Sequence, residues 1–183
     1  MFGWNRPRRP VLGTELAGVV VKSGRGVTGF AEGDEVVAFV GATFGCHAEF
    51  RVVKDSAAMI RKPRALSWEE AGAMCFGGAT ALWFLRDRMG LRAGERLLVI
   101  GASGAVGSAA VQIGRATGAH VTGVARGENH DLLQTIGADE VRDYRHWSAA
   151  DDPEGFDAIL DVAGKTGPGA LGRALKPGGR LGL

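Results

Sequence analysis

The residues most suited to chemistry lie in Leu97-Leu98-Val99-Ile100-Gly101-Ala102-Ser103-Gly104-Ala105-Val106-Gly107. Three glycines recur at intervals of three where a short apolar run gives way to a helical pattern. Glycine lets a backbone turn sharply there and approach a pyrophosphate without a Cβ in the way. A helix N-terminus that follows offers free N–H groups and about half a positive charge to the phosphates. Two readings are open: a dinucleotide phosphate loop, or a tight strand-to-helix turn in an unrelated α/β protein. The strand–turn–helix context, inside a unit of ~30 residues, favours the first.

The end of the next strand would choose between the two nicotinamide dinucleotides. A site for NAD wants a carboxylate there to hold the ribose 2′-hydroxyl. The residues are Thr122-Gly123-Val124-Ala125-Arg126-Gly127, and no acid follows until Glu128. Arg126 could pair with a 2′-phosphate, or it could be a solvated loop arginine. The missing acid is the stronger signal, and it points to NADPH.

Other candidate chemistry is thinner. Cys46 and Cys75 are far apart with no Cys-x-x-Cys pair, so neither a disulfide framework nor a cysteine-rich zinc site is expected. Cys46 and His47 are adjacent, and neighbours on a strand face opposite ways, which suits packing better than metal binding. Of the four histidines, His130 and His146 fall on expected surface loops and His120 begins a strand. None stands out as a catalytic acid.

These residues need a scaffold, and the chain has two textures. Runs at 15–21, 35–40 and 47–53 are rich in β-branched residues with turn signals between them, which predicts a barrel-like β domain over 1–64. After Pro63 the texture changes. Ser67-Trp68-Glu69-Glu70 has the form of a capping box, and helical spacing continues through Leu82, Leu85 and Met89. The pattern predicts a break at Gly77-Gly78 and a stop at Gly90.

From Glu95 strand and helix alternate. Strands are expected at 97–100, 120–124, 140–144 and 156–161, with a fifth beginning at Gly178. Helices are expected at 104–117, at about 132–136, and ending near Leu175. This is a doubly wound, Rossmann-type α/β domain over 65–183.

The totals exclude several classes. With 22 basic and 20 acidic residues the net charge is +2, too small to argue for nucleic acid or an anionic membrane. No run approaches the ~20 apolar residues of a membrane span. The opening residues 1–6 lack a signal-peptide core, so a cytoplasmic protein is expected. The 30 glycines are scattered among hydrophobic runs and read as turns and close approaches, not as a linker.

Several segments together resemble the medium-chain dehydrogenase/reductase superfamily. Leu12-Gly13-Thr14-Glu15-Leu16-Ala17-Gly18-Val19-Val20 and Gly29-Phe30-Ala31-Glu32-Gly33-Asp34-Glu35-Val36 resemble its N-terminal GroES-like β-barrel domain. Phe76-Gly77-Gly78-Ala79-Thr80-Ala81-Leu82, Gly137-Ala138-Asp139, Asp143-Tyr144-Arg145 and Leu175-Lys176-Pro177-Gly178-Gly179 resemble later landmarks. The likeness is to the zinc-free, quinone oxidoreductase-like branch. It implies an enzyme that moves hydride from NADPH to a quinone or an activated double bond, a small-molecule substrate in either case. By position, Thr80 would lie near the nicotinamide, and Gly101, Ser103, Gly104, Ala105, Val106 and Gly107 would hold the pyrophosphate. Arg126, Asn129 and Tyr144 would surround the ribose phosphate, although Tyr144 could equally pack at a strand end. Val162, Ala163 and Gly164 would line the nicotinamide side.

Two departures from the family pattern matter. Zinc-dependent relatives carry His-Glu where this chain has Thr14-Glu15, so no metal is expected and an alcohol dehydrogenase is disfavoured. The chain also starts late and stops at Leu183, as a fragment would. That leaves a second reading, a non-catalytic NADPH-binding remnant or part-subunit, and the unpaired edge of an unfinished sheet predicts self-association, as in a homo-oligomer, or aggregation. No catalytic residue is assigned.

Overall fold

A computed structural model describes residues 9–183; the opening segment 1–6 lies outside them. The chain divides into two compact units between Phe76 and Gly77.

In the first unit, β1 (Glu15–Val19), β2 (Glu35–Phe39) and β3 (Ala58–Arg61) form an antiparallel sheet in that order. Val36, Val37 and Ala38 on the central strand are buried. The turn before β2 is closed by Asp34, whose carboxylate accepts the Ala31 N–H and pairs with Arg61 at 3.0 Å.

The strand expected at 47–53 does not form, and β3 lies further on. Residues 47–53 carry the right residue types, but Phe50 and Val52 are exposed at 72% and 88%, and no strand pairs with them. A strand exists by its ladder, and propensity without a partner does not make one.

The helix α1 (Trp68–Leu82) opens on the expected capping box. Glu70 N–H donates to Ser67 Oγ at 3.1 Å, and Ser67 N–H donates to Glu70 Oε2 at 2.8 Å. No break occurs at Gly77-Gly78. The helix runs through both and continues into a wider π-helical turn, Trp83–Arg88, before Gly90 ends it at φ +58°. Gly77 answers a different need: a Cβ there would sit 2.5 Å from the Ala105 carbonyl oxygen. The glycine that costs a helix about 1 kcal/mol in isolation is here the condition for close packing.

The second unit is a five-stranded parallel sheet in the order β6-β5-β4-β7-β8. Its strands are β4 (Arg96–Ile100), β5 (His120–Ala125), β6 (Glu140–Asp143), β7 (Phe156–Asp161) and β8 (Leu175–Gly182). Helices α2 (Ala105–Thr117), α3 (His130–Thr135) and α4 (Pro168–Ala174) connect them. Two elements start earlier than expected. β8 begins at Leu175, straight out of α4, with a register shift opposite Phe156 and Ala158. His130, expected on a surface loop, opens α3 and has a buried Nε2.

The central strand shows why both faces are covered. Leu97 and Val99 pack into one cluster with Ala110, Val111 and Leu133, while Leu98 and Ile100 pack into another with Phe156, Leu171 and Ala174. Successive side chains point to opposite faces, so an uninterrupted apolar run requires a helical layer on each side.

At the end of the sheet opposite the loop that follows β4, Arg180 forks onto Glu95 at 2.9 and 2.6 Å and donates to the Met89 carbonyl at 2.9 Å. Chiefly through Arg180, the Glu95 carboxyl is held below its ordinary 4.5. A depressed carboxyl stabilises the fold fully above its unfolded value and loses that contribution as the pH falls through the folded one. Melting temperature should therefore fall as the pH drops below about 4.5. In Glu95→Gln the pH 7 value should be about 2–4 °C lower, the effect of ~1 kcal/mol in a protein of this size, and its acid slope shallower. Circular dichroism melts between pH 3 and 7 would measure both. Parallel curves for the two proteins would exclude the Arg180 pair as a source of acid sensitivity.

Candidate functional site

Strands β4 and β5 run side by side, and their C-terminal ends deliver the loop that follows Ile100. The N–H groups of Gly101 and Ala102 both donate to the Val124 carbonyl at 3.0 Å, and Gly104 N–H closes back on Gly101 O at 3.0 Å. Gly101 stands at φ +80°, which only glycine adopts readily. Gly104 is the N-cap of α2 with no side-chain cap. Gly107 is buried against the loop: a Cβ there would lie 2.2 Å from Gly101 O and 2.7 Å from the Ala102 Cα.

This geometry is a cradle that fits a pyrophosphate. Ser103, Gly104 and Ala105 are exposed and Val106 is half-buried. The N–H groups of Ala105, Val106 and Gly107 donate to nothing among the described residues. Three aligned free donors at the start of a 13-residue helix are what an anion needs. Thr80 is three residues beyond Gly77 on α1, so it shares the face that approaches Ala105. Val162 N–H donates to Ile100 O at 3.0 Å, and a Cβ on Gly101 would lie 3.1 Å from Val162 Cγ2 and 3.3 Å from Ala163 Cβ. Val162, Ala163 and Gly164 are thereby gathered at the same end of the sheet.

The other side of the cradle is the end of β5. Arg126 is exposed; its Nε donates to the Tyr144 hydroxyl at 3.3 Å, and its Nη1 lies 3.6 Å from Glu128 Oε1. Tyr144 is held there because its N–H donates to Ala125 O at 3.1 Å. It is 50% exposed. Asn129 N–H donates to Arg126 O at 2.9 Å, within the short helix Gly127–Asn129.

A carboxylate read in the sequence only as part of a landmark also arrives beside the end of β5. Asp143, at the end of β6, accepts the Gly127 N–H at 3.0 Å and the Arg145 N–H at 2.9 Å, and pairs with the Arg145 guanidinium. Arg145, above all its guanidinium, holds the Asp143 carboxyl far below its usual range. Arg145 is thus committed to Asp143, whereas Arg126 is exposed and held by Tyr144 and Glu128. Asp143, sixteen residues on from Gly127, becomes its neighbour because β6 pairs beside β5.

In the first unit, Cys46 and His47 lie beside Gly13, where a Cβ would meet both, on a segment that is not a strand. Glu15 Oε2 accepts the Phe76 N–H at 2.7 Å. Among the described residues no three His, Cys, Asp or Glu side chains gather as a metal site would require, and no helix is long and apolar enough to cross a membrane.

Comparison with known proteins accounts for both units. Residues 2–80 match the alcohol dehydrogenase GroES-like domain, and residues 105–183 match the family described as zinc-binding dehydrogenase. The chain belongs to the medium-chain dehydrogenase/reductase superfamily. The members of this superfamily are oxidoreductases that bind a nicotinamide cofactor. The chain is 37% identical to a chloroplast envelope quinone oxidoreductase homolog of Arabidopsis thaliana, over 82% of its own length and 48% of that protein. It is 36% identical to the pikromycin polyketide synthase component PikAII of Streptomyces venezuelae, over 96% of itself and 5% of that much longer chain. Among solved structures, the quinone oxidoreductase of Pseudomonas syringae pv. Tomato DC3000 superposes with a TM-score of 0.83 at 30% identity, covering 93% of this chain and 54% of that one. The medium-chain dehydrogenase/reductase chain thus spans about half the length of the quinone oxidoreductases it matches.

Proposed function

We propose that this chain is the NADPH-binding part of a zinc-independent reductase that passes hydride to a quinone or to an activated carbon–carbon double bond. The observation that carries the reading is the pairing of the glycine cradle, with its three free N–H groups, and Arg126 at the neighbouring strand end. In this reading Gly101, Ser103, Gly104, Ala105, Val106 and Gly107 hold the pyrophosphate. Arg126, Asn129 and Tyr144 hold the ribose 2′-phosphate, and Thr80, Val162, Ala163 and Gly164 lie along the nicotinamide. The bound nicotinamide supplies the hydride; the chain orients it and keeps it at the strand ends. Residues 1–64 would then form the GroES-like part and 65–183 the cofactor-binding part.

Independence from zinc rests on Thr14, which stands where zinc-dependent relatives carry histidine, and on Glu15, which is engaged with α1. The quinone as acceptor draws on the names of the Arabidopsis and Pseudomonas relatives. Cys46 and Cys75 are both free thiols, in keeping with a reducing, cytoplasmic setting. The second reading is a cofactor-binding part without turnover of its own.

Titration with NADPH and with NADH, followed by nicotinamide fluorescence, tests the first reading. NADPH should bind at least about tenfold more tightly, the scale of one charge-assisted phosphate contact. Equal affinities would remove the 2′-phosphate assignment. Binding of neither would remove the nucleotide reading altogether. Oxidation of NADPH on adding a quinone separates the enzyme from the binding part, and loss of that activity to a zinc chelator would overturn zinc independence.

A further inference from the structure

Asp161, the last residue of β7, is only 2% exposed. Its Oδ1 accepts the N–H of Ala163 and the N–H of Gly164, each at 2.9 Å. Gly164 sits at φ +63°, so the chain leaving β7 is wound tightly around one carboxylate oxygen. The other oxygen, Oδ2, is buried with no partner among the described residues. A buried polar atom without a partner costs stability, so this carboxylate is not there for the benefit of the core.

Its position indicates what it serves. Asp161 is in register with Ile100, the residue that precedes the phosphate loop. From β4 the chain crosses to β5 on one side, and from β7 it crosses to β8 on the other, so the two strand ends flank the crevice where the sheet changes direction. The turn that Asp161 holds rests against Gly101 through Val162 and Ala163.

We propose that Asp161 is a positioning residue for the nicotinamide half of the dinucleotide. It acts through the Ala163 and Gly164 N–H groups, which hold the turn of residues 162–164 against Gly101. The carboxylate itself touches no cofactor. This inference rests on the NADPH reading above. Because Oδ2 has no partner among the described residues, the turn depends on Oδ1, and an asparagine, whose amide oxygen can take the same place, should preserve it.

The test uses the full chain and two probes, NADPH and adenosine 2′,5′-bisphosphate, which lacks the nicotinamide half. Asp161→Ala should weaken NADPH about tenfold and leave the bisphosphate within about twofold. Asp161→Asn should keep NADPH within about threefold of the unaltered protein. Melting temperatures without ligand accompany each titration. If Asp161→Ala binds NADPH normally, or loses both probes together as its melting temperature falls, the positioning role is overturned. Asparagine behaving like alanine would overturn the role of Oδ1. If the unaltered protein binds neither probe, the NADPH reading has failed, and the inference falls with it.

Discussion

Gly107→Ala should lower the melting temperature by about 6–12 °C and remove NADPH binding. The added methyl would lie 2.2 Å from Gly101 O, 2.7 Å from the Ala102 Cα and 2.9 Å from the Ala102 carbonyl carbon. All three are backbone atoms, so no rotamer change relieves the contact. Either α2 lifts away from the end of β4 or the loop opens. Overpacking of this kind costs about 1–3 kcal/mol or more, and in a protein of this size each 1 kcal/mol moves the melting temperature by about 2–4 °C. The upper end applies here because α1 also rests on Ala105 through Gly77, so α2 has little freedom to move on that side.

Gly104→Ala is the matching control. Its Cβ would be 3.4 Å from Gly101 O, a contact the structure can absorb, but it would project from an exposed residue at the mouth of the cradle. It should melt within about 2 °C of the unaltered protein and still bind NADPH more weakly. Thermal melts with cofactor titrations distinguish the two. A Gly107→Ala protein with unchanged melting would mean that the loop is not packed as described.

Arg126→Glu should weaken NADPH by about thirtyfold or more while changing NADH by no more than about threefold. The guanidinium is exposed and held by a hydrogen bond to Tyr144 and an exposed ion pair with Glu128, so little of the fold depends on it. Its replacement puts a second carboxylate beside Glu128, facing a phosphate of nearly two negative charges. Because the site is open to solvent, the preference for NADPH in the unaltered protein should shrink as salt is raised from 50 to about 500 mM. Parallel losses of both cofactors would show that Arg126 supports the loop and does not read the phosphate. Asp143, by contrast, is already neutralised by Arg145, so this pair should affect selectivity much less than Arg126 does.

The glycine turn between β4 and α2 was legible in the linear sequence because everything that makes it is local. The apolar run 97–100, the glycine spacing and the helical pattern after Gly104 lie within a few residues of one another, and the capping box at Ser67 and the stop at Gly90 are equally short-range. Arg126 was legible for the same reason, as a residue at a strand end. Other features are set by residues distant along the chain. Residues 47–53 have strand composition but no ladder, and pairing partners are not written in a segment's own sequence. The glycines at 77 and 78 suggest a helix break locally, yet Gly77 serves a contact with Ala105 that exists only once α1 and α2 are packed. Asp143 reaches Gly127, and Asp161 comes to stand beside Ile100, because the sheet is ordered β6-β5-β4-β7-β8. Periodicity identifies strands and helices one at a time. Strand order, which brings a distant carboxylate to a turn or a strand end, is decided by how the layers bury their apolar faces together.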